Sequence, residues 1–355
     1  MIRYDGIPPA PDEIEVTLFG RGFGEALAVH LGDGAWLLAD SCTCPDTKRP
    51  VAADYLDQLG VASQQVRAIV ATHWHDDHVR GISSLAEKYS TAQFVLSSIF
   101  SNLEASTYLA AYSGTASSGQ SRGTKELYTV VKARPVVHAH HRSIVFQGTT
   151  QGRPVLVTAL SPVQQAYAQS SARLASYLPT TNAAITHAPA ELKTNIASIA
   201  LHIDLDDDAV LLGADLEDHH SYGWTAVVRD SWSGSLRPAT AYKVAHHGGL
   251  SGDCPELWKQ LLVPNPDICL TPYSLGKHRL PTEEDKSRLR TRPRQRFICA
   301  GASRRPLMDS EQLNRLSDVC EDVRCLEGML GAVRLRKRPG DKVWNATLFG
   351  AAQSF

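Results

Sequence analysis

The chain has 355 residues, of which 43% are hydrophobic and 21% are charged, and its formal net charge is −1. This composition is typical of a globular protein with one large domain or two small ones. The near-neutral balance excludes a general electrostatic attraction to nucleic acid, so a polyanion would have to be recognised locally. The opening residues MIRYDGIPPAPDEIEV lack the pattern of a signal peptide, and no apolar run approaches the ~18 residues that a membrane span needs.

Strand and helix patterns alternate in the first hundred residues, which favours an α/β layered fold. Residues 32–34, Gly-Asp-Gly, form a hairpin signal between the second and third strands. Helical spacing is present at 50–61 and 81–90. The predicted strands cover 14–19, 26–31, 35–41, 66–71 and 92–98.

The middle of the chain is less regular, and the pattern sharpens again after residue 195. Residues 113–124 are small and polar, as in a flexible segment or an insertion boundary, and 179–192 resemble a loop. A helix is predicted over 163–178, and a closing hairpin around Pro339-Gly340-Asp341. Further strands are predicted at 153–162, 196–204, 209–215, 241–247, 267–274 and 295–301. Several strands end in acidic residues or histidines, where open α/β sheets place their chemistry.

The segment THWHDDH carries three histidines and two aspartates directly after a buried strand. In an extended chain His73, His75 and Asp77 share one side, and a turn into a helix would bring His78 round to them. Imidazole nitrogens and a carboxylate suit a borderline divalent ion such as zinc. A solvated polar loop is the alternative, but four ligand types at this spacing favour a metal site.

This H-x-H-x-D-H pattern resembles that of metallo-β-lactamase-fold hydrolases, and the resemblance extends over about residues 14–300. It implies an α/β fold, a four-layer αββα sandwich formed by a single domain over 1–355. Residues 301–355 would then supply a C-terminal helix and the closing β-hairpin.

The resemblance also implies ligands from later strand ends. Asp215 in VLLGADLED matches an aspartate that bridges two metals, and His247 in KVAHHGG matches the last histidine ligand. Asp40 in AWLLADS matches an aspartate that supports the site without binding metal. One metal would be held by His73, His75 and Asp215, and the other by Asp77, His78, Asp215 and His247.

Two such metals can share a hydroxide, lower its pKa to around neutrality and polarise a substrate oxygen. Asp77 thereby takes part in catalysis as well as in metal binding. Asp76 would be free to hydrogen-bond a ligand histidine or the nucleophile, and Asp40 would orient a ligand.

One departure concerns a histidine that many family members carry before the strand of the bridging aspartate. Alignment on KTNIASIAL places Thr194 or Asn195 at that position, which leaves the first metal without a strong third protein ligand. Four other histidines are candidates, although surface positions are favoured for them: His138, His140, His141 and His187.

In this departure the sequence resembles the metallo-β-lactamase-like domain of ComEC-type DNA-uptake proteins. Related phosphorylcholine esterases share the same pattern. The shared run is TNIAS, then LLGAD, then KVAHHGG, and His278 in PYSLGKHRLPTEED loosely matches a later element. His246 would contact a phosphoryl oxygen or protonate the leaving oxygen. His247 is favoured as the ligand because adjacent strand residues point in opposite directions. For Lys243 a surface position is favoured, and stabilisation of charge at the site is the alternative.

Three other features carry weaker signals. The glycine-dense GRGFG at 20–24 would let the backbone approach the metal pocket closely, and Glu25 after it has no assigned role. Residues 288–296, RLRTRPRQR, form a solvated helix end rather than a polyanion site on our interpretation. Cys42 and Cys44 are interpreted as structural, and the odd number of cysteines indicates reduced thiols in a cytosolic protein.

These observations predict a cytoplasmic hydrolase with two divalent ions, zinc in preference to manganese, that cleaves a small-molecule or nucleic-acid phosphodiester. Thioester or ester hydrolysis is the alternative within enzymes. A catalytically idle metal-binding module of a larger assembly is the alternative outside them. We expect no membrane association, and no protein partner can be read from the sequence.

Overall fold

The computed structural model describes residues 2–113, 119–178, 194–230, 232–275, 277–300 and 330–355, together with residues 311 and 315. Two eight-stranded sheets face each other, and helices cover the outer surface of each sheet. This arrangement confirms the predicted four-layer αββα sandwich.

The strands of the two sheets and of a small third sheet are numbered in chain order. They are β1 (Ile14–Gly20), β2 (Glu25–His30), β3 (Trp36–Ala39), β4 (Val66–Ala71), β5 (Gln93–Ser97), β6 (Val137–Ala139), β7 (Ile144–Thr150), β8 (Arg153–Ala159), β9 (Leu201–Asp204), β10 (Ala209–Leu212), β11 (Ala239–Lys243), β12 (Leu262–Leu270), β13 (Tyr273–Leu275), β14 (His278–Leu280), β15 (Gln295–Ile298), β16 (Gly331–Lys337), β17 (Asn345–Gly350) and β18 (Gln353–Ser354).

The helices of the described residues are numbered in the same way. They are α1 (Val51–Gln58), α2 (Asp76–Val79), α3 (Ile82–Lys88), α4 (Leu103–Tyr112), α5 (Gly119–Ala133), α6 (Gln164–Ser176), α7 (Trp224–Arg229), α8 (Pro255–Gln260) and α9 (Glu283–Leu289). None of them has the length and apolar character of a membrane-spanning helix.

The first sheet has the order β17-β16-β1-β2-β3-β4-β5-β6, and the second has the order β18-β15-β12-β11-β10-β9-β8-β7. Strands β3 to β6 run parallel to one another, and so do β10, β11, β12 and β15. Parallel strands end at one edge of a sheet, so the loops that follow them meet there. This edge carries the candidate site.

Three buried apolar clusters hold the four layers together. One lies between the first sheet and its helices, one between the two sheets, and one between the second sheet and its helices. Strand β4 is apolar on both faces because Ile69 contributes to the outer cluster and Val70 to the inner one. This double burial explains the unbroken apolar run that precedes the histidine-rich segment.

Most predicted strands and the helix of 163–178 are confirmed, as is the C-terminal hairpin, whose strand β16 pairs with β1. The prediction for 113–124 is wrong in part, because helix α5 begins at Gly119. The expected loop at 179–192 lies outside the described residues. The expected C-terminal helix also lies outside them, apart from residues 311 and 315.

The turn between β2 and β3 is closed by the side chain of His30. Its Nδ1–H donates to the carbonyl of Glu13 at 2.7 Å, and its Nε2 accepts from the backbone N–H of Gly34 at 3.0 Å. Both contacts require a neutral imidazole, and burial lowers the pKa of His30 to about 4. The predicted Gly32-Asp33-Gly34 hairpin is confirmed, with left-handed backbone at all three residues.

We predict that this histidine makes the fold sensitive to acid. Its folded pKa lies below its unfolded value, so its contribution is complete above about pH 6.5 and is lost as the pH falls towards 4. The loss should reach about 3 kcal/mol of unfolding free energy, measured by urea denaturation at several pH values. His30→Gln can keep both hydrogen bonds without titrating and should show a flatter profile. Equal acid sensitivity of the two proteins would contradict the assignment.

Candidate metal centre

The histidine-rich segment leaves β4 and turns directly into a short helix. His73 and His75 lie in the connection, whereas Asp77 and His78 lie in α2. Asp77 is therefore placed by the helix, not by the extended alternation expected from the sequence. His73, Asp77 and His78 are each at most 3% exposed, which makes a solvated loop untenable.

The later candidates follow two adjacent parallel strands of the second sheet. Asp215 comes after β10 and His247 comes after β11. The strand ends at Lys243, and His246 and His247 have left-handed backbone with φ of 47° and 53°. The expected alternation along a strand is therefore wrong, although the two imidazoles do point to different surroundings.

A first ligand group consists of His73, His75 and Asp215. His73 Nε2 lies 3.2 Å from His75 Nδ1 and 3.9 Å from Asp215 Oδ2. The family resemblance implied the same three residues as ligands of one metal.

A second ligand group consists of Asp77, His78 and His247. Asp77 Oδ2 lies 3.7 Å from His78 Nε2 and 3.4 Å from His247 Nε2. Asp215 Oδ2 lies 3.4 Å and 3.3 Å from the same two nitrogens. One carboxylate oxygen thus faces both ligand groups.

The spacing of these atoms fits divalent ions. Two ligands at about 2.0–2.1 Å from a tetrahedral ion are separated by about 3.3 Å, close to the distances observed here. Asp77 Oδ2, His78 Nε2 and His247 Nε2 are buried and make no hydrogen bond. Buried polar atoms are seldom left without a partner, so this convergence indicates a position for a cation. The His/Asp groups are suited to binding divalent metals.

The charges within the groups depend on one another. Burial lowers the pKa of His73 and His75, so both are neutral imidazoles. Burial opposes charge on His78 and His247 as well, but Asp215 leads the carboxylates that raise their pKa, to about 9 for His247.

The pKa values of the carboxyl groups of Asp77 and Asp215 shift downwards, opposite to those of His78 and His247. Burial opposes their ionisation, but the imidazolium groups of His78 and His247 hold the pKa of Asp77 and of Asp215 well below its usual range. The protons on His78 and His247 thus neutralise negative charge on Asp77 and Asp215, as bound metal ions would do.

Asp40 supports the ligands from behind, in agreement with the expected role. Its Oδ1 accepts from the N–H of Thr72 and its Oδ2 accepts from the Thr72 hydroxyl, both at 2.8 Å. Oδ2 also accepts from Nδ1–H of His78 at 2.7 Å, which leaves Nε2 of His78 for the metal. Asp40 also lies near His73 and His78, but its oxygens are engaged in these bonds.

His247 is oriented by Thr271, a residue that the sequence did not single out. Nδ1–H of His247 faces the carbonyl of Thr271 at 3.2 Å and its hydroxyl at 3.1 Å. A Cβ on Gly20 would lie 2.5 Å from the methyl group of Thr271. The first glycine of GRGFG therefore provides the close approach expected near the metal pocket.

Glu25 and Lys243 are also buried beside the ligands, with exposures of 0% and 1%. The interpretation of Lys243 as a surface lysine is wrong: its Nζ lies 2.5 Å from Glu25 Oε1 and 3.9 Å from Asp215 Oδ1. Charged residues at the ends of apolar strands were the signal that could have identified both.

Asn195, at the position of the missing histidine, is not in either ligand group. Its Nδ2 donates to Glu217 Oε1 at 3.0 Å and lies 3.2 Å from His246 Nε2. Thr194 is fully buried and also lies outside the groups. Among the described residues, the first group thus has three protein ligands.

The other histidines considered for the first group lie elsewhere, as far as the chain is described. Nδ1–H of His141 donates to the carbonyl of Leu160 at 2.6 Å, and its Nε2 lies 3.1 Å from Asp230 Oδ2. Nδ1–H of His140 donates to the carbonyl of His141. His138 lies on β6 and belongs to none of the ligand groups. His187 lies outside the described residues.

The proposed catalytic role of Asp76 is not supported by its surroundings. Its Oδ1 accepts from the N–H of Gly123 at 2.7 Å, and its Oδ2 lies 3.6 Å from Arg80. The carboxylate therefore binds helix α5, because α2 turns successive side chains to different sides. It does not line the cleft over the ligands.

The ligand groups open into a cleft of about 260 Å³. Its wall beyond the ligands carries several hydrogen-bond donors, supplied by the turn after β11, by the segment before β9 and by the hairpin of β13 and β14. They are Asn195, His246, Tyr273, His278 and Arg279. His278 thus lies where the sequence comparison suggested, and Arg279 was not anticipated.

The arginine-rich segment does not form an open cationic patch. Arg292 binds Asp253, Arg294 binds the buried Asp267, and Arg296 binds the backbone of Phe355. Cys42 and Cys44 are buried free thiols in the core next to the first sheet. Both observations agree with the structural interpretations made from sequence.

Residues 20–159 match the family model of the metallo-beta-lactamase superfamily. Comparison of the sequence with curated proteins gives no match.

Among solved structures, the chain is similar to the metallo-beta-lactamase fold protein YhfI from Bacillus subtilis, with 13% identity, 81% of this chain and 95% of that chain covered, and a TM-score of 0.42. The subclass B3 metallo-beta-lactamase MEM-A1 from a soil metagenome library is 13% identical, with 69% of this chain and 81% of that chain covered and a TM-score of 0.35. The class B3 di-zinc metallo-beta-lactamase LRA-12 from an Alaskan soil metagenome is 10% identical, with 64% of this chain and 68% of that chain covered and a TM-score of 0.33. The family-model match and the two helix-flanked sheets together show that this chain has the metallo-β-lactamase superfamily fold.

Proposed function

We propose that this chain is a hydrolase that binds two divalent ions, zinc in preference to manganese, and cleaves a phosphodiester. The observation that carries the proposal is the position of Asp215 Oδ2, within 3.3–3.9 Å of ligand nitrogens from both groups. A single carboxylate between two ligand groups is the arrangement that a two-metal site requires.

Bound divalent ions lower the pKa of water towards neutrality and polarise a substrate oxygen. The protein supplies the rest of the chemistry. His73 and His75 would hold one ion, and Asp77, His78 and His247 the other, with Asp215 shared. Asp40 and Thr271 keep the imidazoles of His78 and His247 in the tautomers that leave Nε2 available.

The cleft wall supports a phosphoryl substrate over a thioester. Arg279 and His278 present cationic or hydrogen-bonding groups on one side, and His246 and Asn195 lie on the other. Such groups suit the non-bridging oxygens of a phosphodiester. His246 is held by Ser251 Oγ at 2.6 Å from its Nδ1 and by Asn195 Nδ2, which donates to its Nε2 at 3.2 Å. The imidazole is thus fixed in the cleft wall, and donation of a proton from Nε2 to the leaving oxygen would require Asn195 to give up this contact.

We further propose that the chain is a single-domain cytoplasmic enzyme closest to the ComEC-type subgroup. The support is the Asn195 contact with His246, which joins two elements of the pattern shared with that subgroup. The substrate would be a nucleic acid, a nucleotide or a phosphorylated small molecule.

We predict about two divalent ions per chain in protein purified without chelator, measured by mass spectrometry of the metals. Asp77→Ala and His247→Ala should each lower the content towards one ion, because they remove ligands of the second group only. EDTA should lower the thermal midpoint reversibly, since ions bound to the folded state stabilise it. His140→Ala, at an exposed histidine outside the cleft, is the control. Near-zero metal in the wild-type protein would contradict the two-metal site.

We predict that Asp77→Ala and His247→Ala each lower the hydrolysis of bis-p-nitrophenyl phosphate at least about 1000-fold. The reason is that metal stabilisation of the transition state is worth several kcal/mol. Circular dichroism should show an unchanged fold, and His140→Ala should keep full activity.

A parallel assay with thioester and lactam substrates separates the alternatives. Preferential turnover of a thioester would replace the phosphodiester proposal within the same fold. Bound metal without turnover of any substrate would favour the idle metal-binding module.

We predict that His246→Gln lowers kcat for the same phosphodiester about 100-fold while the metal content stays unchanged. The change removes a group that can donate a proton, and general acid catalysis contributes about 10²–10⁴-fold. A loss of metal instead would identify His246 as a ligand.

A further inference from the structure

Two fully buried, oppositely charged side chains lie directly behind the metal ligands. Glu25 begins β2 in the first sheet and Lys243 ends β11 in the second. Their Oε1 and Nζ atoms are 2.5 Å apart. The pair therefore links the two sheets at the edge where the ligands converge.

Lys243 contacts the shared carboxylate on the side away from the imidazoles. Its Nζ donates to the carbonyl of Ala214 at 2.9 Å and lies 3.9 Å from Asp215 Oδ1. The other oxygen, Oδ2, is the one that faces both ligand groups. The ammonium group thus lies near Asp215 while leaving Oδ2 available.

Glu25 contacts the second group through its other oxygen. Oε2 accepts from the Thr271 hydroxyl and lies 3.8 Å from His247 Nδ1. Thr271 is the residue that orients His247. One carboxylate therefore neutralises the cation beside Asp215 and anchors the residue that positions His247.

An unneutralised ammonium at this position would repel the ions that Asp215 binds, since buried charges interact through a low effective dielectric. Resting on the metal sites of the proposed function, we infer that Glu25 is a positioning residue of the metal centre. It cancels the charge of Lys243 and keeps Asp215 and His247 competent to bind metal. Nothing in this inference depends on the identity of the substrate.

The test compares zinc affinity in four proteins by competition with a chromophoric chelator: the wild type, Glu25→Gln, Lys243→Met and the double variant. Glu25→Gln should weaken zinc binding about 10- to 100-fold, the usual effect of losing a group that supports metal ligands. Lys243→Met should not weaken it, because no cation is left beside Asp215. The double variant should recover most of the affinity lost in Glu25→Gln. Thermal unfolding of each metal-free protein reports stability separately.

A purely structural ion pair predicts a different pattern, because both single variants and the double variant lack the pair. Equal affinity losses in all three, or no loss in Glu25→Gln, would overturn the inference while leaving the metal centre intact. If Glu25→Gln does not fold, Lys243→Met and the double variant still test the inference about Glu25. Weakened zinc binding in both of these variants would overturn that inference. A wild-type protein that binds no zinc would overturn the proposed function together with this inference.

Discussion

Asp215 lies where candidate ligands from the two halves of the sandwich meet, and its Oδ2 faces imidazoles from both halves. His73 and His78 are carried by the loop and helix after β4 of the first sheet, whereas Asp215 and His247 follow β10 and β11 of the second. The site can form only when the two sheets pack face to face. Inter-sheet packing of the apolar core is therefore also the device that assembles the ligands.

Such an assembly concentrates charge in a place with little water. Two carboxylates and several imidazoles are buried within a few Å, and each would be costly to bury alone. The structure distributes the cost over hydrogen bonds from Asp40 and Thr271 and over the Glu25–Lys243 pair. These residues outside the candidate ligand set stabilise the buried charges of the ligands, and they are buried as deeply as the ligands themselves.

Four of the candidate ligands, His73, His75, Asp77 and His78, were predictable because they stand close together directly after a buried strand, whereas Asp215 and His247 were implied only by the family resemblance. The layered fold was predictable for a related reason, since alternating strands and helices leave few alternative architectures. The contact of Asp76 with helix α5 could not be predicted, because one helical step separates it from Asp77 yet turns its carboxylate towards Gly123. Lys243 was misassigned because a lysine is normally exposed, and only the tertiary contact with Glu25 explains its burial. Thr271 could not be found from sequence, since its role depends on a contact with His247 formed across 24 positions of the chain.

Strands from the C-terminal part of the described chain lie in both sheets: β16 is hydrogen-bonded between β1 and β17 in the first, and β18 pairs with β15 in the second. Strand β1 thus pairs with a neighbour that follows it by more than 300 residues. During translation this edge of β1 would stay open until β16 is made, and an unpaired strand is exposed to other chains in that interval. Strand β16 also follows all the candidate ligands of the described residues in the chain, so that edge closes only after they have been made.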